Sequence, residues 1–334
     1  MNSAYSTWLS AHGRLWYDDK LYRAAWIAWP QALAAVMVLL FWAMPPSNRN
    51  VPWAKPVDAN VRYNALRTLR DSAKSDRQAM ETLERDAVAG EMNAQFFYAT
   101  LFDPDLKLST IVQPDVTKAV DWYGKAASQG DEYSIGNLAL TYARGLYIRQ
   151  DYTRSCFYAR KLANSIAFAN ALNLKGECYS RGLGGTPVDL DQAAAAYESA
   201  ATKGHLRATA ALGYFYENGL GGKPRNYEMA LKYYRFAADK GDSLGLHNLG
   251  AAYNSGLLGL QRDGSEAARL ILHALENKYD VTVQSLTTRP DLWSPDFWQN
   301  LQRRLGEKGF YSGVIDGRAN AATLDAVKRL GGRG

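Results

Sequence analysis

The sequence predicts an all-α protein with one transmembrane helix, an α-solenoid of about five helix-pair repeats, and a small three-helix domain at its C-terminal end. Residues 24–44 carry no charge, a tyrosine and glycine pattern recurs every 37 residues, and residues 295–330 follow a different, glycine-punctuated pattern. The expected parts are a tail (1–23), a transmembrane helix (24–44), a linker and lead helix (45–77), the solenoid (78–277), a second linker (278–294) and the terminal domain (295–334).

The composition is that of an ordinary folded protein. Of 334 residues, 47% are hydrophobic and 22% are charged, and this length accommodates two or three domains. The net charge is +6, but lysine and arginine are spread along the chain, so no nucleic-acid partner is expected. Four histidines without paired spacing and two cysteines give little material for a metal site. We therefore expect neither a metal nor a cofactor.

Residues 24–44 form an apolar segment long enough to span a bilayer. At a rise of about 1.5 Å per residue, a helix of this length crosses the hydrocarbon layer of roughly 30 Å, and Trp26, Trp29 and Trp42 lie near its ends. A cleaved signal peptide is the alternative, but the apolar run is too long and no small-residue cleavage site follows it. We expect a single-pass anchor in a bacterial inner membrane, with the N-terminus cytoplasmic and the bulk of the chain periplasmic. The flanking charges favour this orientation only slightly.

A 37-residue repeat follows the apolar segment. Its tyrosine recurs in strict register and is followed three residues later by glycine, while small residues and Asx residues recur at the same step. A helix A ending at a left-handed glycine, and a helix B beginning at an Asx cap, account for this spacing. Aromatic pairs followed by alanines are expected to fill the space between units. The ladders are Tyr142, Tyr179, Tyr216 and Tyr253; Gly145, Gly182, Gly219 and Gly256; Ala119, Cys156, Ala193, Ala230 and Ala267; and Asp115, Asp189, Asn226 and Asp263.

These residues resemble the Sel-one-like repeat family, a relative of the tetratricopeptide repeat, over about residues 78–277. The second unit lacks the aromatic pair at its register, and a degenerate first unit is offset by 40 residues, as Gly90 precedes Gly130. The resemblance implies a right-handed superhelix whose concave face contacts proteins and which has no chemistry of its own. Glu177, Glu198 and Glu217 are explained by the repeat, so we do not expect an enzyme.

Cys156 and Cys178 lie on helices of consecutive units that are expected to pack together. An oxidising periplasm would allow a disulfide between them. The alternative is two small buried thiols, which the place of Cys156 in the alanine ladder favours. Neither cysteine has a histidine partner, so a catalytic thiol is not expected.

The segment "LQRRLGEKGFYSGVIDG" (301–317) resembles the peptidoglycan-binding-domain-like fold, whose pattern runs LQ-x-x-L, G-F-Y-x-G-x-I-D-G and T-x-x-A-V. Here Asn320 stands near a usual glycine, and the usual Phe-Gln after Val327 is absent. The resemblance implies a wall module in which an aromatic ring stacks on a sugar and arginine pairs with a carboxylate. Under the alternative, Phe310 and Ile315 are core residues and Asp316 only caps a turn. The candidate ligand residues are Arg303, Arg304, Phe310, Tyr311 and Asp316.

Together these features predict a non-enzymatic scaffold anchored in the inner membrane, with a protein partner on the concave face of the solenoid and peptidoglycan on the terminal module. Such a protein would belong to a cell-envelope machine for secretion or conjugation, polysaccharide export or polarity. The alternative is a periplasmic chaperone or adaptor whose terminal module has lost wall binding. A regulator of a peptidoglycan-modifying enzyme is less favoured.

Overall fold

The computed structural model describes residues 59–164 and 168–332. The chain divides into two compact units, Met1–Arg62 and Tyr63–Gly334, and the first is described only at residues 59–62, the start of a helix. The predicted tail and transmembrane segment, 1–23 and 24–44, lie outside the described residues. Within the described ranges, no helix is both long and apolar enough to cross a membrane.

The described residues are helical and contain no strand. Short 3-10 turns, Leu183–Gly185 and Pro290–Leu292, interrupt the series. In chain order the helices are α1 (Ala59–Ala73), α2 (Arg77–Val88), α3 (Met92–Phe102), α4 (Val116–Ser128), α5 (Glu132–Arg144), α6 (Tyr152–Lys161), α7 (Ala169–Arg181), α8 (Leu190–Thr202), α9 (Leu206–Asn218), α10 (Tyr227–Asp239), α11 (Ser243–Ser255), α12 (Gly264–Glu276), α13 (Asp280–Thr288), α14 (Pro295–Glu307) and α15 (Ala321–Leu330).

Helices α3 to α12 form five pairs, in which each odd-numbered helix A packs on the helix B that follows it. The A helices α5, α7, α9 and α11 end at the repeat glycines, whose φ values lie between 62° and 69°. This left-handed conformation is the one that glycine adopts without a Cβ penalty. The B helices begin at Asx residues whose side chains accept hydrogen bonds from first-turn N–H groups. In α6 the cap is Asp151, one residue before the register position.

Large side chains of helix B fit over small residues of helix A. Tyr197 and Tyr234 are only 4% and 1% exposed. A Cβ added to Gly176 or Gly213 would lie 2.5 or 2.6 Å from the ring of Tyr197 or Tyr234, respectively. The glycine on helix A therefore leaves room for the tyrosine ring of helix B, which is the physical reason for glycine at this position of the repeat.

The terminal segment is continuous with the last repeat. Residues 278–294, predicted to be a linker, hold α13 and a 3-10 turn, because Val283, Leu286 and Trp293 are buried. The predicted domain 295–334 holds two described helices, α14 and α15, so α13 supplies the third. Side chains of α12 to α15, such as Ile271, Val283 and Phe297, share one buried cluster. The terminal helices thus cover the end of α12 instead of enclosing a separate core.

Candidate functional site

The A helices line the inner side of the helix pairs. α5, α7, α9 and α11 contact each other in succession, whereas successive B helices lie farther apart. Stacked pairs that approach more closely on one side curve toward that side. We therefore define the inner face as the exposed side of the A helices α5, α7, α9 and α11, together with the loops that precede these helices.

Aromatic rings occupy the inner face in its N-terminal half. Tyr133 on α5 is 42% exposed, and its ring lies 5.9 Å from that of Phe96 on α3 and 6.5 Å from that of Phe168, the residue before α7. Rings at these separations form a row across three consecutive units. The row offers partly exposed apolar surface to a ligand.

Charged side chains occupy the inner face in its C-terminal half. Asn170, Lys203, Arg207 and Asp242 line an open groove of about 560 Å³. The guanidinium carbon of Arg207 lies 5.4 Å from the ring centroid of Tyr279, which precedes α13. Burial raises the pKa of Tyr279, and the positive charge of Arg207 partly opposes this effect. Tyr279 therefore stays neutral and is available for stacking.

His205 supports the floor of this groove and caps the helix that follows it. Its Nδ1 accepts a hydrogen bond of 3.1 Å from the N–H of Ala208, so the ring caps α9. Burial and the neighbouring Arg207 lower the pKa of His205, which keeps the ring neutral near pH 7. The groove thus offers hydrogen bonds, ion pairs and stacking to a ligand.

The acidic side chains weighed as catalysts have structural partners. Glu217 accepts a hydrogen bond of 2.7 Å from the hydroxyl of Tyr234, and Glu198 pairs with Lys223 at 2.6 Å. Glu177 accepts a bond of 3.0 Å from Asn173. Across residues 59–164 and 168–332, no group of three His, Cys, Asp or Glu side chains is arranged to hold a metal ion.

The terminal motif surrounds a buried glutamine. Gln302 is fully buried, and its Nε2 lies 2.9 Å from Asp316 Oδ1 and 3.0 Å from Thr323 Oγ1. Its Oε1 accepts a bond of 2.9 Å from the N–H of Gly317. The Gln, Asp, Gly and Thr of the motif therefore hold the loop 308–320 onto α14 and α15.

This network changes the set of candidate wall-binding residues. Tyr311 is only 7% exposed, and its hydroxyl donates to the carbonyl of Val314 at 2.8 Å, so its ring cannot stack on a sugar. The carboxylate of Asp316 caps the turn through the N–H of Arg318, and its bond from Gln302 lowers its pKa. The structure is thus at odds with a ligand role for Tyr311 and gives Asp316 a structural one.

The other three candidates reach the surface to different degrees. Phe310 is partly buried against the shared cluster, and its carbonyl accepts a bond of 2.6 Å from Arg329. Arg304 is partly buried on α14, and Arg303 is exposed there and donates to Asn300 at 2.9 Å. Ile315, a core residue under the alternative, is 43% exposed, so that part of the alternative is wrong. Asn320 caps α15 with φ of −74° and does not use the left-handed geometry.

Cys156 on α6 and Cys178 on α7 are joined by a disulfide, with Cα atoms 5.7 Å apart. Both residues are fully buried. The bond links helix B of one unit to helix A of the next, as the repeat register suggested.

Sequence reasoning missed two features of these surfaces. The sequence marks Gln302 only as part of a motif. Its place at the centre of the hydrogen-bond network depends on residues of the loop 308–320 that fold back onto α14. Arg207 and Tyr279 carry no local signal, because their contact arises from the stacking of later units onto α9.

A known protein family matches the chain in segments that coincide with its helix pairs. The model of the Sel1 repeat family matches residues 93–131, 133–165, 169–205, 206–242 and 243–277, which correspond to the five helix pairs. No curated protein matches the chain.

Solved structures that match the chain come from several bacteria. A Sel1 repeat protein from Oxalobacter formigenes is 23% identical, with a TM-score of 0.55, over 81% of this chain and 95% of that one. A protective antigen of uropathogenic Escherichia coli displaying an SLR fold is 21% identical, with a TM-score of 0.37, over 76% of this chain and 64% of that one. An immunity protein from Pseudomonas aeruginosa is 21% identical, with a TM-score of 0.32, over 64% and 70%. The first likeness supports the solenoid fold.

Proposed function

Because this chain belongs to the Sel1 repeat family, whose members bind protein partners, we propose that it is a scaffold that binds a protein on its inner face. The observation that carries the proposal is the composition of that face. Tyr133 and Tyr214, on two A helices, are 42% and 49% exposed, and Arg207 and Tyr279 are stacked beside the groove. Exposed aromatic and arginine side chains are the residue types that supply most of the energy at protein interfaces.

The proposal includes a place for the chain outside the cytoplasm. The Cys156–Cys178 disulfide supports it, since disulfides persist in oxidising compartments and are rare in the cytosol. The predicted anchor at residues 24–44 would then hold the solenoid at the periplasmic side of the inner membrane, as part of a cell-envelope machine.

For the terminal helices, the buried Tyr311 and the core shared with α12 favour the second candidate, an adaptor whose terminal segment closes the end of the solenoid. Contact with peptidoglycan is the first candidate, and it would depend on exposed residues such as Arg303. Regulation of a peptidoglycan-modifying enzyme would require the same contact.

Site-specific photocrosslinking tests the inner face. A benzophenone amino acid at position 133 or 214 of the full chain should crosslink to one discrete protein in cells. The matched controls are Phe157 and Phe236, which are exposed to similar degrees, 46% and 49%, on the B helices α6 and α10. Crosslinks from the B-helix positions but not from the A-helix positions would overturn the proposed face.

The thiol state in cells tests the compartment. Full-length chain from cells lysed in denaturant with a maleimide reagent should take up no label unless it is first reduced. Two labels taken up before reduction would contradict a periplasmic location.

Sedimentation with purified peptidoglycan sacculi separates the two terminal candidates. Wall contact predicts that the full chain sediments with the sacculi and that Arg303→Glu lowers the sedimented fraction. Arg235→Glu, the same charge change at an exposed position of α10, should leave the sedimented fraction unchanged. A capping role predicts no sedimentation of the full chain. Truncation before α14 is unsuitable, because it would strip Phe297 and Leu301 from the core shared with α12.

A further inference from the structure

The junction between α6 and α7 departs from the other junctions of the array. Helix α6 has 10 residues, whereas α4, α8, α10 and α12 have 13 each. At the register position where Tyr123, Tyr197 and Tyr234 are buried, α6 carries the exposed Arg160. The large side chain that fills the space between the helices of other units is therefore missing here.

A buried lysine adds to this departure. Lys175 stands where neighbouring A helices bury Leu138 and Leu212. Its ammonium donates to the carbonyl of Leu162 at 2.6 Å and to Asn164 at 3.0 Å, and burial lowers its pKa. Burying a charged group costs free energy that a leucine at the same place would not.

Polar atoms without partners gather in the same two units. Among the described residues, few buried side-chain nitrogen or oxygen atoms lack a hydrogen-bond partner, and three of them belong to α6, α7 or the turn after α7. They are Ser155 Oγ, Asn173 Oδ1 and Thr186 Oγ1. Each such atom destabilises the folded state by the loss of its hydration.

The apolar contact across this junction is smaller than at the others. The core cluster at the disulfide holds only the two cysteines with Ala139, Ala159 and Leu174, and a neighbouring cluster reaches across the junction through Ile135 and Leu162. Even so, α6 and α7 contact each other less than any other helix B and the helix A that follows it. Because a repeat array opens where the interface between neighbours is weakest, α6–α7 is the first place at which this array would open.

We propose that the Cys156–Cys178 disulfide holds the weakest junction of the array closed, so that the array opens between α6 and α7 when the disulfide is reduced. The helices before and after the junction then move relative to each other. The inference concerns the chain alone and does not depend on a partner or on wall contact.

The redox step is a thiol–disulfide exchange. A thiolate of a dithiol reagent attacks one cysteine sulfur, the S–S bond breaks, and a mixed disulfide forms. The second thiolate of the reagent then displaces that cysteine. Two electrons and two protons pass to the protein, which is left with two thiols, and the reagent becomes a cyclic disulfide. Both sulfurs are buried, so reduction of the folded chain should be slow.

Hydrogen–deuterium exchange of the full chain in detergent tests this inference. Three samples are compared: the oxidised chain, the chain reduced with dithiothreitol, and the Cys156→Ala/Cys178→Ala variant, whose alanines match Ala193 and Ala252 of other units. We expect exchange in α6, α7 and the turn 183–185 to become at least tenfold faster without the disulfide, while α10 to α12 keep their protection. An equal rise in every helix, or no rise in α6 and α7, would overturn the inference.

A repair variant tests the cause. In the cysteine-free chain, Arg160→Tyr with Lys175→Leu restores the side chains that other units have at these positions. Ala139, which stands 37 residues before Gly176, is a small residue that leaves room for the new tyrosine. We expect this variant to regain most of the lost protection in α6 and α7. If protection stays low, the weakness does not arise from these departures and the reasoning fails.

Discussion

His247 is expected to make the end of the array sensitive to mild acid. The residue lies on α11, where its Nδ1 is 3.1 Å from Thr282 Oγ1 of α13 and its ring is 6.0 Å from that of Trp293. Burial lowers the pKa of His247 from 6.5 to about 4. The ring is therefore neutral in the folded chain at pH values where the unfolded chain would already bind a proton.

The sign and size of the effect follow from this difference. A lowered folded-state pKa contributes stability that is complete above pH 6.5 and is lost as the pH falls toward 4. One pKa unit corresponds to about 1.4 kcal/mol, so between pH 7 and pH 5 the folded state should lose about 2 kcal/mol through His247 alone. His247→Gln keeps a side chain that can bond to Thr282 but removes the titration.

Urea unfolding of the full chain at pH 7 and pH 5, followed by tryptophan fluorescence, measures this loss, since Trp293 lies beside the ring. We expect wild type to lose about 2 kcal/mol more than His247→Gln over this range. His273→Gln, a substitution at an exposed position of α12, should behave as wild type. Equal losses in wild type and His247→Gln would refute the reasoning.

Three further substitutions test packing, each by the midpoint of thermal unfolding measured by circular dichroism. Gly213→Val places a side chain against the ring of Tyr234, 2.6 Å from the new Cβ, and should lower the free energy of unfolding by about 1–3 kcal/mol. An unchanged midpoint would show that the tyrosine ring does not need a glycine beneath it. Gln302→Ala leaves the buried N–H of Gly317 unpaired and should cost about 2 kcal/mol; a neutral effect would show the network to be dispensable. Gly264→Val brings a side chain within 2.6 Å of the backbone nitrogen of Phe297 and should lower the midpoint by separating α14 from α12, whereas an unaffected midpoint would argue against the shared core.

The features that the sequence predicted well are local. A glycine three residues after the repeat tyrosine and an Asx residue before the next helix act within one turn of chain. Gly145 and Gly182 accordingly end their helices in the left-handed conformation, and Asp189 caps α8. The 37-residue period then gives the helix pairs, because each pair must bury its apolar side against the next.

The features that it predicted poorly depend on contacts between distant segments. Residues 278–294 contain Pro290 and polar residues typical of a linker, yet Val283 and Trp293 are buried because α12 offers them a surface. Tyr311 stands at a motif position that suggested sugar stacking, but the fold-back of the loop onto Gln302 buries it. The burial of these residues cannot be predicted from a short stretch of sequence around them.

The central claim is that the inner face binds a protein partner. The most direct test is the affinity of the full chain for the protein captured by photocrosslinking, measured for wild type, Tyr214→Ala and Arg207→Glu, with Phe236→Ala on the exposed side of α10 as control. Interface aromatic and arginine residues commonly contribute about 2 kcal/mol or more, so the account predicts at least a tenfold weaker affinity for both inner-face variants and an unchanged affinity for Phe236→Ala. Unchanged affinity in the inner-face variants, with loss in the control, would contradict it.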